Sequence, residues 1–76
     1  MTKVTYKRLR TNWGWAYIGE GRIEICKTAK NKKHLEIMVH ELLHLELPDH
    51  EEKAIVRISK MVAQALWDDG YRKLPK

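Results

Sequence analysis

Two histidines and a glutamate in the order His40-Glu41-Leu42-Leu43-His44, with a further histidine at His50, are the residues of this chain best equipped for chemistry. Residues four apart on a helix share a face, so the imidazoles of His40 and His44 can grip one metal ion between them. A glutamate directly after the first histidine of such a pair is not a ligand; it is placed to take a proton from a metal-activated water. A third protein donor would leave the fourth tetrahedral position open, which is the plan of a catalytic zinc. Structural zinc closes all four positions, usually with thiolates, and this chain has a single thiol, Cys26. The expected cofactor is Zn2+, with His40 and His44 as metal ligands and Glu41 as the catalytic base.

The third metal ligand is read as His50, with Glu51 and Glu52 as alternatives. Pro48 drives the residue before it out of the helical region, so the chain must turn there. Asp49 then reads as the N-cap of a second helix, with Glu52 completing a capping box from the N3 position. That places His50 at the mouth of the second helix, beside the end of the first. Glu51 shares a stripe with Ile55, Ile58 and Val62 and would face the first helix, whereas Glu52 is accounted for by cap chemistry.

The elements that must position these groups follow from periodicity. From Asn31 to Glu46 the apolar residues Leu35, Met38, Val39 and Leu42 recur at three- and four-residue spacing, which predicts a helix with one buried face. At about 100° per residue, His40 and His44 fall about 140–180° from Leu35. The histidines should therefore point away from the core, with Glu41 on the flank of their face. A second helix is expected from Asp49 to Asp68 or Asp69, burying Ile55, Ile58, Val62, Ala65 and Leu66, with Gly70 as its C-cap. Upstream, Val4 to Arg10 and Trp13 to Ile18 are rich in β-branched and aromatic residues, and Gly19-Glu20-Gly21 is a turn signal leading into Arg22–Cys26. Lys27–Lys33 reads as a basic loop and Tyr71–Lys76 as a short basic tail. The expected fold is a single α+β domain, a three-stranded antiparallel meander followed by two helices, with the sheet packed on both helices.

From Trp13 to about Ile58 the chain resembles the minimal zinc peptidases of the SprT-like and WLM type. The matching pieces are Trp13-Gly14, then Gly21-Arg22-Ile23-Glu24-Ile25, then His40-Glu41-Leu42-Leu43-His44-Leu45, then His50. The resemblance implies a zincin-like metallopeptidase with His50 as third ligand and a polypeptide substrate. It departs at Trp15-Ala16, where the family has Ser-Cys, at Cys26, where it has asparagine, and after His50, where the Phe-Trp frequent in the family is absent. Metzincins differ by a glycine at the position of Leu47. Ribonucleases of ribosomal RNA maturation resemble the stretch from Leu43 to His50 but have glycine where this chain has Glu41, and that glutamate favours hydrolysis by a general base, hence peptides. An extended substrate would add to a sheet edge near Arg22–Cys26 through main-chain hydrogen bonds. Tyr71 and His34 are candidates by residue type for stabilising an oxyanion.

Charge is unevenly spread. Residues 1–33 hold nine Lys or Arg against two Glu, for +7, while residues 34–76 hold six against eight, for −2, which together give the net +5. Tyr6, Trp13, Trp15 and Tyr17 lie among the cations of the first half, a combination that suits nucleic acid as a partner. The plainer reading makes that surface solvated and the tryptophans core. No apolar run approaches the roughly 18 residues of a membrane span, and the first residues lack the hydrophobic segment of a secretory signal. With one unpaired cysteine, a cytoplasmic location is expected. A chain of this length buries only about 60% of its unfolded surface, so a bound metal would add to folding free energy. Two other functions fit the same residues: a non-catalytic, zinc-stabilised or nucleic-acid-associated accessory protein, such as a phage encodes, and a zinc-dependent ribonuclease.

Overall fold

In the computed structural model, which describes residues 2–73, five elements follow in the order β1 (Lys3–Lys7), β2 (Gly14–Tyr17), β3 (Arg22–Cys26), α1 (Asn31–Glu46) and α2 (Glu52–Asp68). The fold is α+β as the sequence suggests. The sheet, however, is mixed rather than an antiparallel meander. β3 occupies its centre, antiparallel to β2 and parallel to β1. The turn between β2 and β3 is tight, closed by the Glu20 N–H donating to the Tyr17 carbonyl at 3.1 Å. Residues 8–13, by contrast, contain no glycine or proline to fold β1 back onto β2. They pass instead around the Cys26 end of β3, where Cys26 N–H donates to Trp13 O at 2.7 Å and Lys27 N–H to Lys7 O at 2.9 Å. The half-buried Leu9 travels in this crossing, and the buried Cys26 thiol lies beneath it, 3.7 Å from the Leu9 carbonyl and 3.1 Å from the Thr28 hydroxyl. β1 and β2 are therefore both shorter than the stretches Val4–Arg10 and Trp13–Ile18.

Ile23 and Ile25 of β3 are fully buried and form the core with Ala29 and Ile37, flanked by Val4, Ala16, Met38, Leu42 and Leu45. The core thus lies between the sheet and α1. α2 packs on α1 alone: among the described residues no strand approaches it. The order of layers is sheet, α1, α2, which corrects the expectation of a sheet resting on both helices. A helix between two partners has no solvated side, and none of residues 34–45 is fully exposed. Its most buried line is His34, Ile37 and Glu41, rather than the apolar stripe Leu35, Met38, Val39 and Leu42, which is half-buried. α2 meets α1 through Ile55, Ser59 and Ala63, spaced four apart and at most 1% exposed. Two of these are small, which lets the backbones come close, and the Ser59 hydroxyl is satisfied by donating to Val56 O at 3.0 Å. Ala65, expected on the buried stripe, is exposed.

The ends of α2 divide the expectations. Its C-terminus closes as a Schellman motif: Gly70, with φ +91°, donates to Trp67 O at 3.1 Å and Tyr71 N–H to Leu66 O at 3.0 Å. Glycine adopts that conformation without the penalty a Cβ brings. At its N-terminus the capping box does not form. Glu51 is the N-cap, with no side-chain capping bond, and the Glu52 carboxylate is drawn to the histidines of α1 instead. Pro48 lies in the connecting turn, where the His50 N–H donates to Leu47 O at 3.1 Å. Of the basic tail, residues 71–73 are described, and 74–76 lie outside the described residues. No described helix is long and apolar enough to cross a membrane.

Candidate metal centre

α2 never reaches the sheet, so a cleft opens on each flank of α1. The first runs between β2 and the start of α2, encloses about 510 Å³ and is lined by His40, Glu41, His44 and Glu52 among others. His40 and His44 project into it from successive turns of α1, their ring centroids 4.7 Å apart. Their side chains are about one-fifth exposed, at 22% and 23%. They face this cleft between layers, rather than pointing clear of the protein.

Glu52 reaches across from the first turn of α2. Its Oε1 lies 3.0 Å from His40 Nε2 and its Oε2 2.8 Å from His44 Nε2, while the two Nε2 atoms are 3.1 Å apart. Ordinary two-centre hydrogen bonds do not serve the whole of this triangle. Each imidazole nitrogen offers either one N–H or one lone pair, so two nitrogens serve at most two of the three contacts. A cation accepting one lone pair from each group satisfies all three. Tetrahedral zinc with bonds of about 2.0–2.1 Å holds its donors about 3.3 Å apart, close to the separations observed. The donor set of two imidazoles and a carboxylate suits zinc, and His40, His44 and Glu52 form a three-residue group with the spacing of metal ligands. Burial is the main influence on the His40 imidazole and holds its pKa below the usual 6.5; His44 adds to this, while Glu52 opposes it. That keeps the ring neutral, the form that ligates.

The third position beside the imidazoles is thus filled by Glu52, one of the two alternatives to His50. His50 is exposed in the turn between the helices and is not part of the group. Glu51, the other alternative, is likewise outside it.

Glu41 lies deeper than its expected place on a flank, 8% exposed against the underside of β2. Gly14 makes this approach possible. A Cβ built there would stand 2.9 Å from Glu41 Oε2 and 2.8 Å from Ile37 Cγ2, closer than atoms can pack. Burial raises the pKa of the Glu41 carboxyl, the proximity of Glu52 adds to the rise, and His44 counteracts it. A carboxylate so placed is a stronger base than one in water.

The rim is aromatic. Trp13 and Trp15 are 50% and 53% exposed, and the Lys33 ammonium sits 5.4 Å from the Trp13 ring centroid. These tryptophans are not core. Their exposure escapes a composition-based reading because β2 is an edge strand, an arrangement set by the crossing of residues 8–13. The same topology corrects the expected docking edge: both sides of Arg22–Cys26 are paired, and the edge bordering the cleft belongs to β2. Cys26 belongs neither to the metal group nor to the lining of either cleft. His34 and Tyr71 line the opposite cleft, so neither stands where an oxyanion would form in this one. No protein-family model, no curated protein and no solved structure matches this chain.

Proposed function

We propose that the protein is a zinc-dependent hydrolase acting on polypeptides, with His40, His44 and Glu52 as metal ligands and Glu41 as general base. The observation that carries this reading is the convergence of three donor atoms beside a buried carboxylate in one cleft. Zinc bound there supplies Lewis acidity toward a carbonyl oxygen and a water. Glu41, its basicity raised by burial, accepts a proton from a water in the cleft and returns it to the leaving amine. The outer edge of β2 offers main-chain groups to an extended peptide, and Trp13 and Trp15 on either side of Gly14 give its side chains apolar surface. The likeness of His40–Leu45 to the SprT-like peptidases supports the same reaction class, while the third ligand departs from theirs.

A second reading has its own observation. Glu52 ties α2 to α1, so a metal at this point would clasp the two helices and serve stability alone. Glu41→Gln separates the two. Under the hydrolase reading it leaves zinc content near one per chain and abolishes cleavage of a disordered polypeptide such as casein, as a chelator does reversibly in the wild type. Wild-type protein that binds zinc but cleaves nothing, or a Gln variant as active as the wild type, removes the catalytic reading and leaves the clasp.

A further inference from the structure

The cleft on the other flank of α1 has different chemistry. It encloses about 720 Å³, within the range of small-molecule sites, and runs from β1 across the start of α1 to the end of α2. Four cations line it: Lys27, Lys30, Arg72 and Lys73. They come from two stretches far apart in sequence, so the fold assembles the cluster rather than a single basic run. No aspartate or glutamate lines the cleft, the first turn of α1 carries no acidic residue, and among the described residues none of the four cations pairs with a carboxylate.

Aromatic faces alternate with these charges. The Arg72 guanidinium lies 3.3 Å from the Trp67 ring centroid and the Lys73 ammonium 3.9 Å from that of Tyr6. Tyr71 also lines the cleft and is 57% exposed. At its floor the buried His34 is fixed through Nε2, 2.9 Å from the Tyr6 hydroxyl.

We infer that this cleft binds a nucleoside phosphate, its phosphate between Lys27 and Lys30 and its base stacked on Tyr71. Arg72 and Lys73 are already laid over Trp67 and Tyr6, and Arg72 donates to the carbonyls of Trp67 and Tyr71. Among the described residues Lys27 and Lys30 face no carboxylate and call for an anion, and a bare anion would leave the exposed Tyr71 ring unused. A planar base bearing a phosphate uses both. The ligand is either a free nucleotide or one residue of a single strand, since both present this group. The site lies across α1 from the metal ligands and does not depend on the hydrolase reading.

The test titrates the whole chain with AMP, inorganic phosphate and a 12-nucleotide oligothymidylate, following the Trp67 indole and His34 ring signals by NMR. AMP should shift both signals and leave Trp13 and Trp15 unmoved, with inorganic phosphate at least about tenfold weaker. Lys27 and Lys30 are exposed, so the double replacement Lys27→Gln, Lys30→Gln should keep the fold and weaken AMP about tenfold. Tyr71→Ala should weaken it about fivefold or more. Oligothymidylate binding well above AMP identifies a single strand as the natural source; binding equal to or below AMP identifies a free nucleotide. The inference is overturned if neither probe moves Trp67 and His34, if phosphate binds as well as AMP, or if the lysine double variant binds unchanged.

Discussion

The triangle of His40, His44 and Glu52 was half legible, because two of its members are related by helix geometry and the third by a turn. Spacing of four residues fixes two side chains on one face whatever surrounds them. Which of residues 50–52 completes the set depends on where Pro48 sends the chain and which residue opens α2, and a one-residue shift in that start rotates the next helix by about 100°. Glu52 had a cap role available in sequence, whereas in space its carboxylate meets His40 and His44. Accordingly, Glu52→Gln should weaken zinc binding at least about tenfold, whereas His50→Ala should leave it nearly unchanged. Competition with a chromophoric chelator measures both, and the reverse order of effects would reinstate His50. Gly14 carries a second prediction. Gly14→Ala forces a methyl into the space of Glu41 and Ile37, so it should destabilise the fold by about 1–3 kcal/mol, the usual cost of overpacking. Urea melts read that loss. Hydrolysis should fall further than zinc content, because the displaced group is the proposed base and not one of the proposed ligands.

Helix α1 was placed in sequence from about Asn31 to Glu46, although residues 31–33, also read as the end of the basic loop, are its first turn; its buried line was missed, since an amphipathic pattern assumes one partner and α1 has two. His34 shows what this does to an individual side chain. Offered by residue type as an oxyanion stabiliser, it is 8% exposed at the inner face of the opposite cleft. Desolvation, and secondarily the Lys73 charge, lowers its pKa from the ordinary 6.5. The unfolded chain therefore takes up this proton first as pH falls. The stability associated with neutral His34 is complete above about pH 6.5 and is lost progressively as pH falls toward the lowered value. With chelator present throughout, the wild-type Tm should decline below that pH more steeply than the Tm of His34→Gln, whose side chain does not titrate. Parallel curves would mean that His34 contributes nothing to acid sensitivity. The Schellman end of α2 was legible for the opposite reason: Gly70 acts through its own backbone, and no distant partner is needed.

For the molecule as a whole, the sequence named five elements in the right order but not the order of layers, which is fixed by long-range packing. Having α1 alone in the middle is what creates two clefts, one on each flank, with unlike linings. It also leaves α2 with a single packing partner, α1, which it meets through Ile55, Ser59 and Ala63, whereas β3 packs against β1, β2 and α1. Native-state hydrogen exchange should accordingly show α2 amides opening at lower free energy than those of β3. Zinc should slow exchange in the first turns of α2 through Glu52 and leave β3 unaffected; equal protection of both elements under all conditions would contradict this layering. The mixed sheet has a different consequence, in the timing of assembly. β2 and β3 are joined by a short turn and pair early, as local contacts do. β1 must wait for β3, because its register, Lys3 opposite Arg22 through Lys7 opposite Cys26, spans the whole of the intervening hairpin. During synthesis β1 is made before its partner exists, so of the three strands it is the first made and the last paired. The lysines at its two ends, Lys3 and Lys7, guard that unpaired interval, since charge on a bare strand discourages pairing with another chain.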